Sequence, residues 1–131
     1  MMFREILHIK TQCGSCQDIT KDIKKIVEKS QLSEGLCNIF LQNTTAALMI
    51  NEDDKMLIQD FKRLFSQIRE DALYNHQDNA FSHLRANLLS HSITVPVANK
   101  QVFLGIWQSI LLWEFDKADR ERSVIVTVQG E

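Results

Sequence analysis

Glycine, proline and cysteine are all scarce in this sequence, and their scarcity limits what the chain can be. The 131 residues include four glycines and one proline, and no repeat or low-complexity segment divides them. Loops should therefore be short or held in place by side chains. Three cysteines are too few for a disulfide scaffold and instead favour a reducing compartment. We expect a cytoplasmic protein.

The sequence also lacks an excess of one charge and a long apolar run. Lys and Arg total 15 against 17 for Asp and Glu, and a net charge of -2 offers no electrostatic footprint for nucleic acid. The longest apolar stretch, 102–113, contains Gly105, Gln108 and Ser109 and is far shorter than the roughly 20 residues of a membrane helix. The N-terminal MMFREILHIK lacks the apolar stretch of a secretory signal. We expect neither nucleic acid nor a membrane as a partner.

The spacing of apolar residues predicts an α+β fold in one domain, 1–131. Alternation over 3–10 predicts a first strand, and further strands are predicted within 36–50, 93–97, 101–115 and 124–128. Helices are predicted over 21–30, 54–69 and 83–89. Two main helices between groups of strands, followed by a terminal meander, indicate a two-sheet, largely antiparallel β-sandwich.

A polar break interrupts the strand pattern of residues 40–51, which read FLQNTTAALMIN. Gln42, Asn43, Thr44 and Thr45 separate two apolar pieces. One interpretation is a turn between two strands. The other is a site at which these amide and hydroxyl groups contact a ligand.

Cys13-Gly14-Ser15-Cys16 is a CxxC motif. Such a pair can be a dithiol redox site when a helix N-terminus lowers the pKa of the first thiol. Here the predicted helix begins after Cys16, and neither a parallel βαβ pattern nor a second pair of zinc ligands follows. A loop with two free thiols is the preferred interpretation, and Cys37 is expected in the core.

The segment 74–85 concentrates two imidazoles, a carboxylate and amides in a stretch that contributes little to a core. His76 and His83 could bind one metal ion if the segment folds back, because neutral imidazole is a good zinc ligand. His83 could equally face water at the start of a helix. His8 and His91 are interpreted as surface residues.

Three polar residues near the C-terminus are further candidates. Gln108 lies inside a predicted apolar strand, so its amide needs either a backbone partner or a ligand. Residues 116–122, DKADRER, are typical of a solvated loop. Arg120 and Arg122 could nevertheless bind a phosphate or carboxylate in bidentate fashion.

Five longer stretches follow, in order, the motifs of one protein family. LQNTTAALMINE is similar to LQHTTAALxxNE, and DNAFSHLRA is similar to DxNAxAHLKA. LLSHSITVPV is similar to LLGxSxxxPV, LGIWQSILLWEFD to LGTWQGIxxxEFD, and RERSVIVTVQGE to RxRxVxVxVxGE. On these motifs the chain resembles the YjbQ-like family of secondary thiamine-phosphate synthase enzymes, from residue 18 to the end.

The resemblance implies a two-sheet α+β fold, a homotrimer around a threefold axis and a polar pocket that gathers histidines. The implied reaction joins a hydroxymethylpyrimidine diphosphate to a thiazole phosphate and releases pyrophosphate. Asn43 stands where the family has the histidine of its HTT motif. An amide is a poorer zinc ligand than imidazole and is neither a general acid nor a general base near neutral pH. Ile106 and Ser90 replace the family's threonine and glycine, and the loop after His76 is short.

Three hypotheses follow for the function. In the first, the chain is a thiamine-phosphate synthase-like transferase with a degenerate pocket, in which His76, His83 and Asn43 are catalytic and the two histidines bind zinc or magnesium. Its substrate-binding residues are Thr44, Thr45, Asp78, Asn79, Gln108, Arg120 and Arg122. In the second, it is a non-catalytic homologue that binds a small anionic ligand or a metal. The third is a CxxC redox protein.

Homotrimer formation is also expected from aromatic residues. Trp107, Trp113 and Phe115 lie on one long predicted strand and offer more aromatic surface than a small monomer needs. The alternative is that these side chains fill the core of the domain itself.

Overall fold

The computed structural model describes all 131 residues and contains eight strands and three helices. The strands are β1 (Met2–Thr11), β2 (Cys16–Asp18), β3 (Glu34–Leu41), β4 (Ala46–Asn51), β5 (Ser92–Ala98), β6 (Gln101–Val102), β7 (Ser109–Glu114) and β8 (Arg120–Gly130). The helices are α1 (Thr20–Ser30), α2 (Lys55–Phe65) and α3 (Ala80–Ala86). All strand pairs are antiparallel, in one sheet ordered β1-β8-β3-β5-β6 and another ordered β2-β7-β4. The predicted α+β sandwich with two main helices is confirmed.

The main core lies between the two sheets and α1. Alternate residues of β8, namely Val124, Val126 and Val128, are fully buried, while the residues between them reach the surface. This follows from the two-residue period of a strand, which sends successive side chains to opposite faces. Helix α1 contributes Ile23, Ile26 and Val27 to the same cluster, since these positions share one helical face.

The second core lies on the other face of the three-stranded sheet, against α2 and α3. Trp113 of β7 is 1% exposed, and its ring lies edge-on to Phe65 of α2 with centroids 5.0 Å apart. Phe115 packs in the same cluster as Ala86 of α3. Strands β4 and β7 are therefore covered on both faces, which explains why they read as nearly continuous apolar runs.

Helix α2 begins where the sequence predicts and ends one turn early. The side chain of Asp54 accepts a hydrogen bond of 2.9 Å from the backbone N–H of Leu57 and so caps the helix. The predicted end at Arg69 is wrong, because the helix stops at Phe65 and tight turns follow. Helix α3 starts at Ala80 rather than His83, so His83 lies in its middle.

Two predictions about the C-terminal third are wrong. The strand expected over 101–115 is divided, because 103–108 form a loop between β6 and β7. Gln108 and Trp107 lie in this loop, with Trp107 70% exposed. Trp113 and Phe115 belong to the second core, so they are unavailable for an interface between chains.

The residues expected to form a solvated charge run are partly buried instead. Asp116 is 7% exposed, and Arg122, 8% exposed, points inward from β8. Cys16, predicted in a loop, begins the short edge strand β2. Cys37 is fully buried, which confirms its place in the core. No helix in the structure is both long and apolar enough to cross a membrane.

Candidate functional site

A buried ion pair lies at one end of the main core. Residues of β7 alternate between the two cores, and this alternation directs Glu114 inward beside Ile110 and Leu112. Arg122 of β8 faces it, with Nε 2.7 Å from Oε1 and Nη2 2.5 Å from Oε2 of Glu114. Two parallel charge-assisted bonds of this kind are the strong form of an arginine–carboxylate contact.

Thr11 and Thr45 also form hydrogen bonds with this ion pair. The hydroxyl of Thr11 donates to Oε1 of Glu114 at 2.6 Å, and the backbone N–H of Asp116 donates to Oε2 at 3.0 Å. Arg122 Nη2 donates to Thr45 Oγ1 at 2.8 Å. Thr45 ends the polar break of the sequence, so the turn between β3 and β4 is held against β8 by a buried arginine.

Asp116 connects this buried pair to the surface. Its Oδ2 accepts from Thr45 Oγ1 at 3.4 Å and from Arg120 Nε at 3.1 Å. Its Oδ1 accepts from Asn79 Nδ2 at 3.2 Å and from the backbone N–H of Lys117 at 2.9 Å. One carboxylate therefore holds together three chain segments that are far apart in sequence.

Opposing effects set the pKa of Asp116. Burial alone raises the pKa of this carboxyl, because a low dielectric disfavours the charged form. Hydrogen bonds from Asn79, the Lys117 backbone and Arg120, together with the charge of Arg120, outweigh burial and leave the pKa below its usual range. Asp116 is therefore a negative anchor at neutral pH and not a proton donor.

His76 and His83 lie side by side at the outer edge of this network. Their ring centroids are 5.0 Å apart and the rings are nearly perpendicular. Nε2 of His76 is 3.0 Å from Oδ1 of Asn79. Since Asn79 donates to Asp116 through its amide nitrogen, its oxygen is free to accept the proton on His76 Nε2. This arrangement orients the His76 ring and favours the tautomer with the proton on Nε2.

Asp78 and Lys117 form an exposed ion pair at the same edge. Lys117 Nζ is 2.5 Å from Asp78 Oδ1, and both side chains are exposed. The hydrogen bond from Lys117 and its charge lower the pKa of Asp78. Of the predicted residues, His76, His83, Asp78, Asn79, Thr45, Arg120 and Arg122 thus belong to one connected region.

Asn43, Thr44 and Gln108 form no hydrogen bond to this connected region. Asn43 Oδ1 accepts a 2.9 Å hydrogen bond from the backbone N–H of Ala46, which shapes the turn itself. Thr44 is exposed and lines a surface depression with Asn43. Gln108 Oε1 accepts from the backbone N–H of Gly105 at 2.8 Å, in the exposed loop before β7. Asn43 makes no hydrogen bond to the region that contains His76 and His83.

One chain provides two imidazoles for a metal and no further ligand. No group of three His, Cys, Asp or Glu side chains is placed to hold one ion. Catalytic zinc typically has three protein ligands, and magnesium prefers oxygen ligands. His76 and His83 of a single chain therefore do not make a complete site for either metal.

The two thiols of the CxxC motif are poorly suited to redox chemistry. Burial, followed by the charge of Asp53, raises the pKa of Cys16 to about 12. Burial and the neighbouring carboxylates, Asp119 first, also raise the pKa of Cys13. Helix α1 begins four positions beyond Cys16, so no helix N-terminus stabilises a thiolate here.

Comparison with known proteins identifies the family. A model of the family described as "UPF0047 protein YjbQ-like" matches residues 5–131. The chain belongs to the YjbQ-like family. A UPF0047 protein of Methanothermobacter thermautotrophicus is 40% identical over 118 residues, which are 87% of this chain and 82% of that protein. A UPF0047 protein of Synechocystis is 34% identical, and the matched residues are 98% of this chain and 92% of that protein.

Solved structures agree with the family assignment. The chain is similar to a YbjQ-like protein of unknown function from Sulfolobus solfataricus, with a TM-score of 0.90, 31% identity and complete coverage of both chains. It is equally similar to a yjbq/upf0047 family protein of Clostridium acetobutylicum, with a TM-score of 0.90, 31% identity and coverage of 95% and 99%. The YjbQ-like fold expected from the sequence is confirmed.

Glu114, Asp116 and Thr11 of this YjbQ-like chain belong to the site but were not predicted from the sequence. A signal for Glu114 was present, because a carboxylate directly after four apolar strand residues must be paired if it is buried. Nothing local to Thr11 marks it, since its partner Glu114 lies 103 residues away in the chain.

Proposed function

We propose that this YjbQ-like chain binds a small phosphorylated ligand at the region of His76, His83 and Arg120. The observation that supports this is the convergence of two imidazoles with exposed cationic side chains at one edge of the fold. Arg120 and Lys117 are each about half exposed and flank Asp116. Guanidinium and ammonium groups are the usual partners of phosphate oxygens.

The chemistry we propose is transfer of the thiamine-phosphate synthase type, the reaction implied by the resemblance of the sequence. The nitrogen lone pair of a thiazole phosphate forms a bond to the methylene carbon of a hydroxymethylpyrimidine diphosphate. The carbon–oxygen bond breaks, and pyrophosphate leaves with the electron pair. The protein would position the two substrates and stabilise the charge that develops on the leaving group.

Individual residues have distinct proposed roles in this reaction. Arg120 and Lys117 would bind the pyrophosphate oxygens, and His83 would donate a hydrogen bond to them. His76, oriented by Asn79, would contact the other substrate. Arg122, predicted from the sequence to contact phosphate, would instead hold Thr45 and the turn in place, because its guanidinium is engaged by Glu114. Zinc or magnesium remains an additional proposal that rests on His76, His83 and ligands from substrate.

A non-catalytic binding function is the second candidate, and the side chain of Asn43 favours it. Its oxygen is occupied by the Ala46 N–H, and an amide does not transfer protons near neutral pH. In this account the chain binds a phosphorylated or other anionic molecule without turnover. The free thiols and the absence of disulfides are compatible with the cytoplasmic location proposed for either function.

Thiamine-phosphate formation from the two phosphorylated precursors tests these candidates. The assay compares the unmodified chain with Asn43→His and His83→Gln, each with zinc and magnesium supplied, and uses His8→Gln as the control at an exposed histidine. Turnover that His83→Gln abolishes supports the transferase. No turnover in the unmodified chain, with turnover in Asn43→His, supports a binding protein derived from an enzyme. Failure of the unmodified chain to bind pyrophosphate contradicts both candidates.

We also propose a homotrimer. Because Trp113 and Phe115 are buried within the chain, the support for this proposal comes from the exposed loop 103–108. Phe103, Ile106 and Trp107 are 61%, 89% and 70% exposed, an apolar group that a partner chain could cover. Light scattering at micromolar concentration should give three times the chain mass. Trp107→Ser should shift the chain towards monomer and Leu73→Ser, at an exposed residue elsewhere, should not. A monomeric unmodified chain would contradict the proposal.

A further inference from the structure

Strand β1 forms one edge of the five-stranded sheet. It pairs with β8 along its whole length, and no strand lies on its other side. Just before β1, Met1 and Gly130 exchange both of their backbone hydrogen bonds, at 2.9 and 3.0 Å. In an antiparallel ladder such pairs recur at every second residue. The odd-numbered residues of β1 therefore bond to β8 through their backbone.

The backbone groups of the even-numbered residues point away from β8. These residues are Met2, Arg4, Ile6, His8 and Lys10. No backbone hydrogen bond outside the regular helices and strands involves residues 2–10. At about 3.4 Å per residue, the row of free N–H and C=O groups extends over roughly 27 Å. An exposed strand edge of this kind is a template for a further strand.

A depression of about 490 Å³ lies between this edge and α1. Its lining combines residues 5–8 of β1 with Asp22, Lys25, Ile26 and Lys29 of α1. Successive residues of a strand point to opposite faces of its sheet, so a depression that residues 5–8 all line lies along the strand edge. A strand added to β1 would place alternate side chains in this depression.

The charges around the edge favour an acidic strand. Together β1 and α1 carry six lysines and arginines against three acidic residues, although the whole chain has a net charge of -2. Glu5 is already paired with Lys29, whose Nζ lies 2.8 Å from Oε1. Asp22 is the other carboxylate of the depression, and the exposed side chain of Lys25 lies on the same helix.

The same charges oppose the pairing of β1 with β1 of a second copy. Such pairing would bring Arg4, Lys10 and the lysines of α1 from both copies to one shared edge. Like charges on neighbouring strands destabilise their pairing, and charged side chains protect an edge strand from self-association. The occupant that fits this edge is therefore an acidic segment of a different protein.

We propose that the edge of β1 binds an extended acidic segment of another protein as an additional strand. The backbone of Arg4, Ile6 and His8 would supply the hydrogen bonds, and Lys25 would contact the acidic side chains of the segment. This edge does not include His76, His83 or Arg120, so the proposal is independent of the phosphorylated ligand.

Hydrogen exchange of the full chain, followed by NMR, tests the added strand. The probe is a capped synthetic peptide of eight alternating glutamates and valines, and its lysine–valine counterpart is the control for charge. The acidic peptide should slow exchange of the Arg4, Ile6 and His8 amides. The Glu5 and Leu7 amides should be protected with or without the peptide, because they bond to β8.

Variants at the edge separate backbone pairing from charge. Ile6→Pro removes one outward N–H and keeps the bonds to β8, because proline is tolerated where an edge N–H faces solvent. It should weaken binding of the labelled acidic peptide, measured by fluorescence anisotropy, about tenfold or more, whereas Ile6→Ala should have a smaller effect. Lys25→Glu should weaken binding about threefold or more at low salt, and Lys55→Glu, at an exposed lysine of α2, should not.

Four results would each overturn the proposal. They are no binding of the acidic peptide at millimolar concentration, equal binding of the two peptides, unchanged affinity in a folded Ile6→Pro variant, and slow exchange of the Arg4, Ile6 and His8 amides in the free chain that strengthens with protein concentration. The last of these would assign the edge to a second copy. The exchange pattern needs no variant, so the test holds even if Ile6→Pro does not fold.

Discussion

Breaking the buried ion pair should destabilise the fold far more than breaking an exposed one. Arg122→Met removes two charge-assisted hydrogen bonds, of 2.7 and 2.5 Å, from a carboxylate that is 0% exposed. At about 1.5–3 kcal/mol each, these bonds predict a loss of about 3–6 kcal/mol. Removal of one partner of a buried ion pair typically costs about 3–5 kcal/mol, so we expect a loss near 4 kcal/mol.

Urea unfolding at a fixed protein concentration measures this loss. With a slope of about 2 kcal/mol per molar urea, the midpoint of Arg122→Met should fall by about 2 M. Arg120→Met is the matched control, because Arg120 also contacts a carboxylate but its side chain is 48% exposed. Its loss should be below about 1 kcal/mol.

A double variant separates the charge from the lost contacts. Glu114→Gln with Arg122→Met removes both charges and keeps an acceptor for Thr11 or the Asp116 backbone. It should be more stable than Arg122→Met alone, because no unpaired charge remains buried. Two results would contradict a stabilising buried ion pair. One is a double variant less stable than Arg122→Met alone, and the other is an Arg122→Met loss no larger than that of Arg120→Met.

Three further predictions concern pH, thiol reactivity and sheet packing. The folded pKa of Asp116 lies below its usual 3.8, so its carboxylate stabilises the fold above that pH and the contribution is lost as the pH falls through the folded value. Asp116→Asn should therefore be less stable at neutral pH, with a smaller difference below about pH 4 in acid unfolding. The pKa of Cys16 is raised from 9.0 to about 12, which lowers its thiolate fraction at neutral pH about a thousandfold. Labelling of Cys16 by iodoacetamide at neutral pH, followed by mass spectrometry, should therefore be very slow. Rapid labelling would contradict this prediction. Gly35→Ala places a Cβ against the carbonyl of Gln129. We expect the free energy of unfolding, measured in urea, to fall by about 2 kcal/mol or more. Gly105→Ala, in the exposed loop, should change it little.

Much of the candidate site could be found from sequence because the motifs are contiguous. His76, Asp78, Asn79 and His83 lie within eight residues, and the structure keeps them together at the start of α3. The role of Arg122 could not be found in this way. Its partner Glu114 lies on a different strand, eight residues earlier in the sequence, and Thr45 is 77 residues away from it in the sequence.

Secondary structure could be predicted from the sequence wherever its pattern is local. The alternation in β8, the apolar face of α1 and the Asp54 cap each depend on residues within a few positions of one another, so the two-sheet α+β class followed from them. Which polar and aromatic side chains are exposed to solvent depends instead on how distant segments pack. Trp107 is exposed and Trp113 buried, although both lie in one apolar stretch, because α2 and α3 cover only the second. Burial depends on which distant segments pack together, and no short-range pattern encodes that.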